Sequence, residues 1–150
     1  MVHVEAFIKV KNDRDKCYEF IKKNISRFPT FIPNIKKLNQ VYQLSHDRII
    51  TEWEVDLGGA LVKWKEEDVF NDKSYSISFH MVEGDFIKYE GKWQFDFEST
   101  KTTRICVSAL FDWGIPNLGK HVGPVLEKKA KLNFKSMLLA IKKQLDKNEF

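Results

Sequence analysis

Cysteine is scarce: Cys17 and Cys106 stand far apart in a chain of 150 residues. So few thiols exclude a disulfide scaffold, and without paired spacing they form neither a zinc motif nor a redox Cys-x-x-Cys. Seven glycines and four prolines exclude collagen-like and low-complexity chains. No apolar run approaches the ~18 residues of a membrane span. The opening stretch MVHVE has no basic segment ahead of an apolar one, so no secretory leader is expected and cytoplasm is the expected location. There is no Gly-x-Ser-x-Gly, no phosphate-cradling glycine loop and no histidine pair at metal-ligand spacing. No cofactor and no metal site are therefore expected.

What is present is aromatic. Twelve Phe, four Trp and four Tyr make 13% of the chain, within a hydrophobic share of 43%. Residues 1–150 suit a single domain, and a chain of this size buries roughly 68–70% of its unfolded surface. The rings either fill that core or line a pocket within it. The net charge of +4 comes from 25 basic against 21 acidic residues, interleaved as on an ordinary solvated surface. That is no footprint for nucleic acid.

Periodicity organises the chain. Residues 2–10 alternate, which predicts a strand. Asn12-Asp13 supplies a turn and a helix cap, and Cys17, Tyr18, Phe20, Ile21 and Ile25 recur at helical spacing. Pro29 and Pro33 break the next segment, where Phe28, Phe31 and Ile32 pack as a single turn. Strands are then expected over 35–44, 48–57, 60–70, 74–82, 86–97 and 103–113, separated by turns such as Gly58-Gly59 and Gly84-Asp85. Most carry one apolar, aromatic face and one charged face. Gly114 to Asn117 ends the last strand. From Leu118 to Leu145 a long helix carries one stripe that includes Val122, Val125, Ala130, Phe134, Met137, Leu138 and Ile141. Leu118, Leu132 and Leu139 fall beside the stripe and widen it, while Lys128, Lys129, Lys131, Lys135, Lys142 and Lys143 cover the solvent side.

The expected architecture is α+β. A sheet with one greasy face must be covered, and only the last helix is long enough to do so. A twisted antiparallel sheet curls around it and leaves a wedge that side chains fill or a ligand occupies.

Three stretches carry a resemblance: Trp64-Lys65-Glu66-Glu67-Asp68; Val82-Glu83-Gly84-Asp85-Phe86 leading to Tyr89 and Trp93; and Leu132-Asn133 through Leu138 to Ile141-Lys142. With this element order the chain resembles the START-related, birch-pollen-allergen-like helix-grip superfamily, in its polyketide cyclase/dehydrase and lipid-transport group. The resemblance implies a curled sheet of six to seven strands around a C-terminal helix, with two short helices after the first strand. It also implies a hydrophobic cavity between sheet and helix. Cyclases of the group fold a poly-β-ketone there, with an arginine, tyrosines and water assisting closure and dehydration. Here the family arginine falls on Asp68, and the loop from Ile115 to Gly119 lacks the cyclases' acidic pattern. Asn133 matches a helix asparagine of the cyclases.

Glu66 and Asp68 interrupt the apolar face made by Val62, Trp64 and Phe70. Against aromatic walls a carboxyl would have a raised pKa and act as acid or base, or bind a cationic group. Alternatively the strand end protrudes and both acids are solvated, or a β-bulge after Trp64 swaps the faces. Tyr89 joins them as a candidate catalytic residue, with Gly91 beside it leaving space. Trp53, Trp64, Phe79, Tyr89, Trp93 and Phe111 form the expected aromatic wall, and Met81, His121, Asn133 and Met137 complete the expected ligand-binding set. Buried indole N–H and phenol O–H groups need partners, which favours a lined cavity over a dry core. Gly119, Gly123 and Pro124 read as a lid at its mouth.

The leading expectation is a polyketide cyclase, aromatase or dehydratase acting in natural-product biosynthesis. Its rivals are a non-catalytic carrier or sensor of a lipid, quinone or isoprenoid, and a protein-interaction module. The expected partner is a small hydrophobic ligand, the protein itself a monomer or homodimer.

Overall fold

The computed structural model describes residues 2–57, 59–112 and 119–147, apart from the side chains of residues 119–123 and 126. Strand β1 (Val2–Val10) leads into helix α1 (Arg14–Asn24) and a 3-10 helix (Ile25–Thr30). Strands β2 (Ile35–Ser45), β3 (Arg48–Leu57), β4 (Ala60–Asn71), β5 (Ser76–Gly84), β6 (Lys88–Ser99) and β7 (Thr102–Asp112) follow, then helix α2 (Gly119–Asp146). The strands form one antiparallel sheet in the order β1-β7-β6-β5-β4-β3-β2, so only the β1–β7 pairing joins elements distant in sequence. This is the helix-grip α+β fold.

Local chemistry explains the ends of the elements. Asp13 caps α1 by accepting a hydrogen bond from the Lys16 amide at 2.8 Å. The buried Asn12 side-chain amide donates to the Leu145 carbonyl at 3.0 Å, while the Asn12 backbone carbonyl accepts from the Thr103 hydroxyl at 2.8 Å. One turn thus ties the C-terminal end of α2 to the sheet. Leu138, Ile141 and Leu145 are fully buried below it.

Burial departs from the sequence pattern in several places. Leu132 and Leu139 do not widen the buried stripe; they are exposed, as is Val125. Val41, Tyr42 and Leu44 are exposed because β2 is an edge strand whose register breaks twice along this stretch. Alternation over 86–97 sets Ile87 on the same face as Tyr89 and Trp93, yet it does not point inward. Strand β6 begins at Lys88, so the period-two pattern stops short of Ile87, which is exposed while Phe86 turns into the core. Phe97 is also exposed, with the Arg14 guanidinium 5.9 Å from its ring. Trp113 and the segment Gly114 to Leu118 lie outside the described residues, and so do the side chains at Gly119 to Gly123 of the lid expectation.

Gly91 does not leave open space beside Tyr89. A Cβ there would lie 2.0 Å from the Ser108 carbonyl oxygen and 2.8 Å from the Phe79 ring. The missing side chain lets β6 and β7 approach and lets Phe79 lie across the gap. Gly91→Ala is therefore expected to destabilise the fold by roughly 1–3 kcal/mol through overpacking, read as a fall of several degrees in Tm by circular dichroism.

Candidate functional site: an aromatic cavity with a buried acid pair

Alternation along β4 runs unbroken from Val62 to Phe70, with every second residue buried. The irregularity lies in β5 instead: Lys65 pairs with Glu83 and Glu66 with Met81, leaving Val82 as the extra residue. No face swap occurs, so Glu66 and Asp68 point inward, 3% and 1% exposed. The solvated alternative is thereby excluded.

Neighbouring strands supply the partners. Trp64 stands beside Trp53 of β3, the two indoles stacked 5.5 Å apart and 10° from parallel. Trp64 Nε1–H donates to Glu66 Oε1 at 2.7 Å. Trp53 Nε1–H donates to Thr51 Oγ1 at 2.8 Å, and the Thr51 hydroxyl donates to Asp68 Oδ2 at 2.5 Å. The two carboxyls are close enough for one to donate to the other when it is protonated. Both indole N–H groups thus feed one buried acid pair, directly or through Thr51.

Electrostatics follow from this geometry. Burial, then the Asp68 charge, raises the Glu66 carboxyl well above its ordinary range. Burial raises Asp68 too, opposed by hydrogen bonds from Glu66 and Thr51. Both shifts favour a proton held by the pair, with Glu66 the more strongly raised of the two. Burial, with the charges of Glu66 and Asp68, pushes the Tyr89 hydroxyl well above its ordinary value, so it stays protonated. Tyr89 is 8% exposed, and its hydroxyl has no hydrogen-bond partner among the described residues.

Trp64, Phe79 and Phe86 each pack with ring centroids 5.2 Å from Tyr89. Together with α2 these rings enclose a cavity of about 70 Å³. Of the expected residues, Trp53, Trp64, Glu66, Phe79, Tyr89, Trp93, Phe111, Asn133 and Met137 line it. Asp68 is not on the wall and sits behind Glu66. Met81 is half-buried against the core and is not on the wall either. His121 lies in α2, but its side chain is outside the described residues.

Sequence patterns alone do not assign Asn34, Thr51, Phe86 and Phe134 to the site. Thr51 carries a usable signal, a polar residue on the inner face of β3. Phe86 is hidden by the expected start of β6, and Asn34 has no pattern at all. Asn34 donates to the Asn133 side chain, whose own amide donates to the Lys129 carbonyl at 2.9 Å, so these two residues hold α2 at one end of the cavity.

The acid pair makes stability depend on pH with a definite sign. Above its ordinary value of 4.5, Glu66 loses its proton in the unfolded chain while the folded chain retains it. Stability is therefore fullest below that value and falls as pH rises toward the raised folded value, by at most about 1.4 kcal/mol per pH unit for this group. Glu66→Gln keeps a donor toward Asp68 but has no proton to lose. Its Tm should decline less than the wild type's as pH rises above the ordinary value of 4.5 in thermal melts. Parallel declines would show that Glu66 carries no extra proton in the folded protein.

The fold matches that of TTHA0849 from Thermus thermophilus with TM-score 0.90 over 99% of each chain, at 23% identity. It matches the Zhui aromatase/cyclase from Streptomyces sp. R1128 with TM-score 0.81 over 97% of this chain and 94% of that one, at 14% identity. A START superfamily protein from Mycobacterium smegmatis gives TM-score 0.81 over 98% and 99%, at 15% identity. At such identities the likeness concerns the fold. No curated protein matches the sequence. The sequence matches the family described as "Polyketide cyclase / dehydrase and lipid transport" over residues 13–137. That span covers most of the chain and the whole of β2 to β7 with their acid pair, so the chain belongs to the polyketide cyclase/dehydrase and lipid-transport family.

Proposed function

We propose that the protein binds a small, mostly apolar carbonyl compound in this cavity and catalyses proton transfer on it, as aldol cyclisation or dehydration of the polyketide cyclase kind. The observation that carries this reading is the Glu66 carboxyl on a largely apolar wall, backed by Asp68 and sharing that wall with Tyr89, whose hydroxyl has no hydrogen-bond partner among the described residues.

The pair serves as both acid and base. Shifting its shared proton from Glu66 to Asp68 leaves a carboxylate facing the cavity, which removes a proton from the carbon next to the substrate carbonyl. The Tyr89 hydroxyl donates to the carbonyl oxygen and stabilises the enolate. In a dehydration, the Glu66 proton then passes to the β-hydroxyl. The C–O bond breaks, water leaves, the C=C bond forms, and the proton on Asp68 returns to restore the starting pair.

Substrate size is limited by packing. A cavity of about 70 Å³ has room for about two waters, and roughly 150 Å³ is needed to admit a benzene ring. A ring-sized substrate therefore requires lining side chains to shift. Phe134 and Met137 of α2 are the candidates, Met137 for its flexible thioether. A second reading, a carrier without chemistry, is favoured by one observation. Among the described residues no Lys, Arg or His lines the cavity, so no cation stands ready for an oxyanion.

The two readings separate by experiment. The aldol adduct of benzaldehyde and acetone dehydrates to a conjugated enone that is followed by ultraviolet absorbance. Wild-type protein should accelerate this reaction, with Glu66→Gln and Asp68→Asn each losing at least about a hundredfold in kcat and Tyr89→Phe about tenfold or more. Affinity for the enone, measured by quenching of tryptophan fluorescence, should persist in these variants and weaken in Trp64→Ala and Trp93→Ala. Tight binding by all acid-pair variants with no turnover by the wild type would establish the carrier instead.

A further inference from the structure

The outer face of α2 carries a pattern unrelated to the cavity. Val125, Leu132 and Leu139 are 52%, 55% and 53% exposed, each seven residues from the next. That spacing sets them in one row about 21 Å long, on the side away from the buried Ala130, Met137 and Ile141. A lysine stands three residues after each: Lys128, Lys135 and Lys142. Four residues after each come Lys129, Ser136 and Lys143. The apolar row is thus flanked by cationic side chains on both sides.

Between residues 124 and 147 the only acids are Glu127 and Asp146, against seven lysines. The helix therefore accounts for all of the chain's net charge of +4, and the remainder is near neutral. Asp146 holds Lys142 at 2.6 Å, which leaves the other lysines of the face facing outward. We propose that this face of α2 docks on an anionic lipid bilayer, the apolar row entering the headgroup boundary and the lysines meeting lipid phosphates and carboxylates. Lysine stems extend along such a surface while their ammonium groups stay at headgroup level. A second copy of the chain is disfavoured, because pairing the same face on itself sets lysines against lysines. A specific protein partner is disfavoured as well, since among the described side chains the face offers no aromatic ring, arginine or amide to act as an anchor. The opposite side of the same helix lines the cavity through Ala130, Phe134 and Met137, so docking sets the cavity one helix away from the bilayer.

The test is co-sedimentation of the full chain with vesicles of equimolar phosphatidylcholine and phosphatidylserine. Binding is expected at low ionic strength, weakened about tenfold or more by high salt or by vesicles of phosphatidylcholine alone. Leu132→Ser with Leu139→Ser, and Lys128→Gln with Lys135→Gln, should each weaken it about tenfold or more, with melting curves unchanged because all four side chains are exposed. Lys63→Gln with Lys65→Gln, on the outer face of β4, should leave it unaltered. The proposal fails if mixed vesicles do not bind, or if binding survives both α2 double variants. It also fails if the α2 variants instead abolish self-association or the capture of an acidic protein while vesicles are ignored.

Discussion

Seven strands with one apolar face must be closed by a single helix, and every other feature depends on how that closure is made. α2 covers the sheet best at its C-terminal end, where Leu138, Ile141 and Leu145 are fully buried and Asn12 accounts for the Leu145 carbonyl. Further along, curvature opens a gap that aliphatic side chains do not fill. Rings occupy it: Trp53, Trp64, Phe79, Phe86, Tyr89 and Trp93. Offset and edge-on contacts among them stabilise the packing by about 0.5–1.5 kcal/mol per pair beyond area burial. The cavity is the small volume such flat, rigid side chains leave unfilled.

Polar atoms carried into that gap have to satisfy one another. Two indole N–H groups, a threonine hydroxyl and two carboxyls form one chain of donors and acceptors running across β3 and β4. A lone buried carboxylate would cost several kcal/mol, and proton sharing halves the charge that must be held. The same economy leaves Glu66 protonated against an apolar space, which is the state a general acid needs. Structural necessity and chemical capacity thus have one origin here. Tyr89 is the exception, because its hydroxyl remains without a partner among the described residues while four rings surround it.

The helix that closes the sheet also has an outside. A helix with one buried stripe is ordinarily polar elsewhere, yet α2 sets Val125, Leu132 and Leu139 in the middle of its lysines. The buried stripe and the exposed row lie on opposite sides of one element. The cavity and the charged surface are therefore separated by little more than the thickness of a helix, about 10 Å.

By itself the sequence determined the element order, the sheet faces and the covering helix, because period-two and period-3.6 patterns are local and run long enough to be unambiguous. The fold family was legible as a resemblance, carried by the element order and by the stretches Trp64 to Asp68, Val82 to Phe86 and Leu132 to Lys142. It also located Glu66 and Asp68 on an aromatic face, and Trp53, Trp64, Phe79, Tyr89 and Trp93 around them. Only the tertiary structure decided which way the acids pointed. A bulge in β4 would have turned them outward, and the bulge formed in β5, where pairing between strands set the register. Thr51 became the link to Asp68 for the same reason: cross-strand neighbours are fixed by register, which no single strand encodes. Leu132 and Leu139 make the converse case. Helical spacing put them beside the buried stripe, but the width of that stripe was set by how closely the sheet wraps the helix, and it stops short of both.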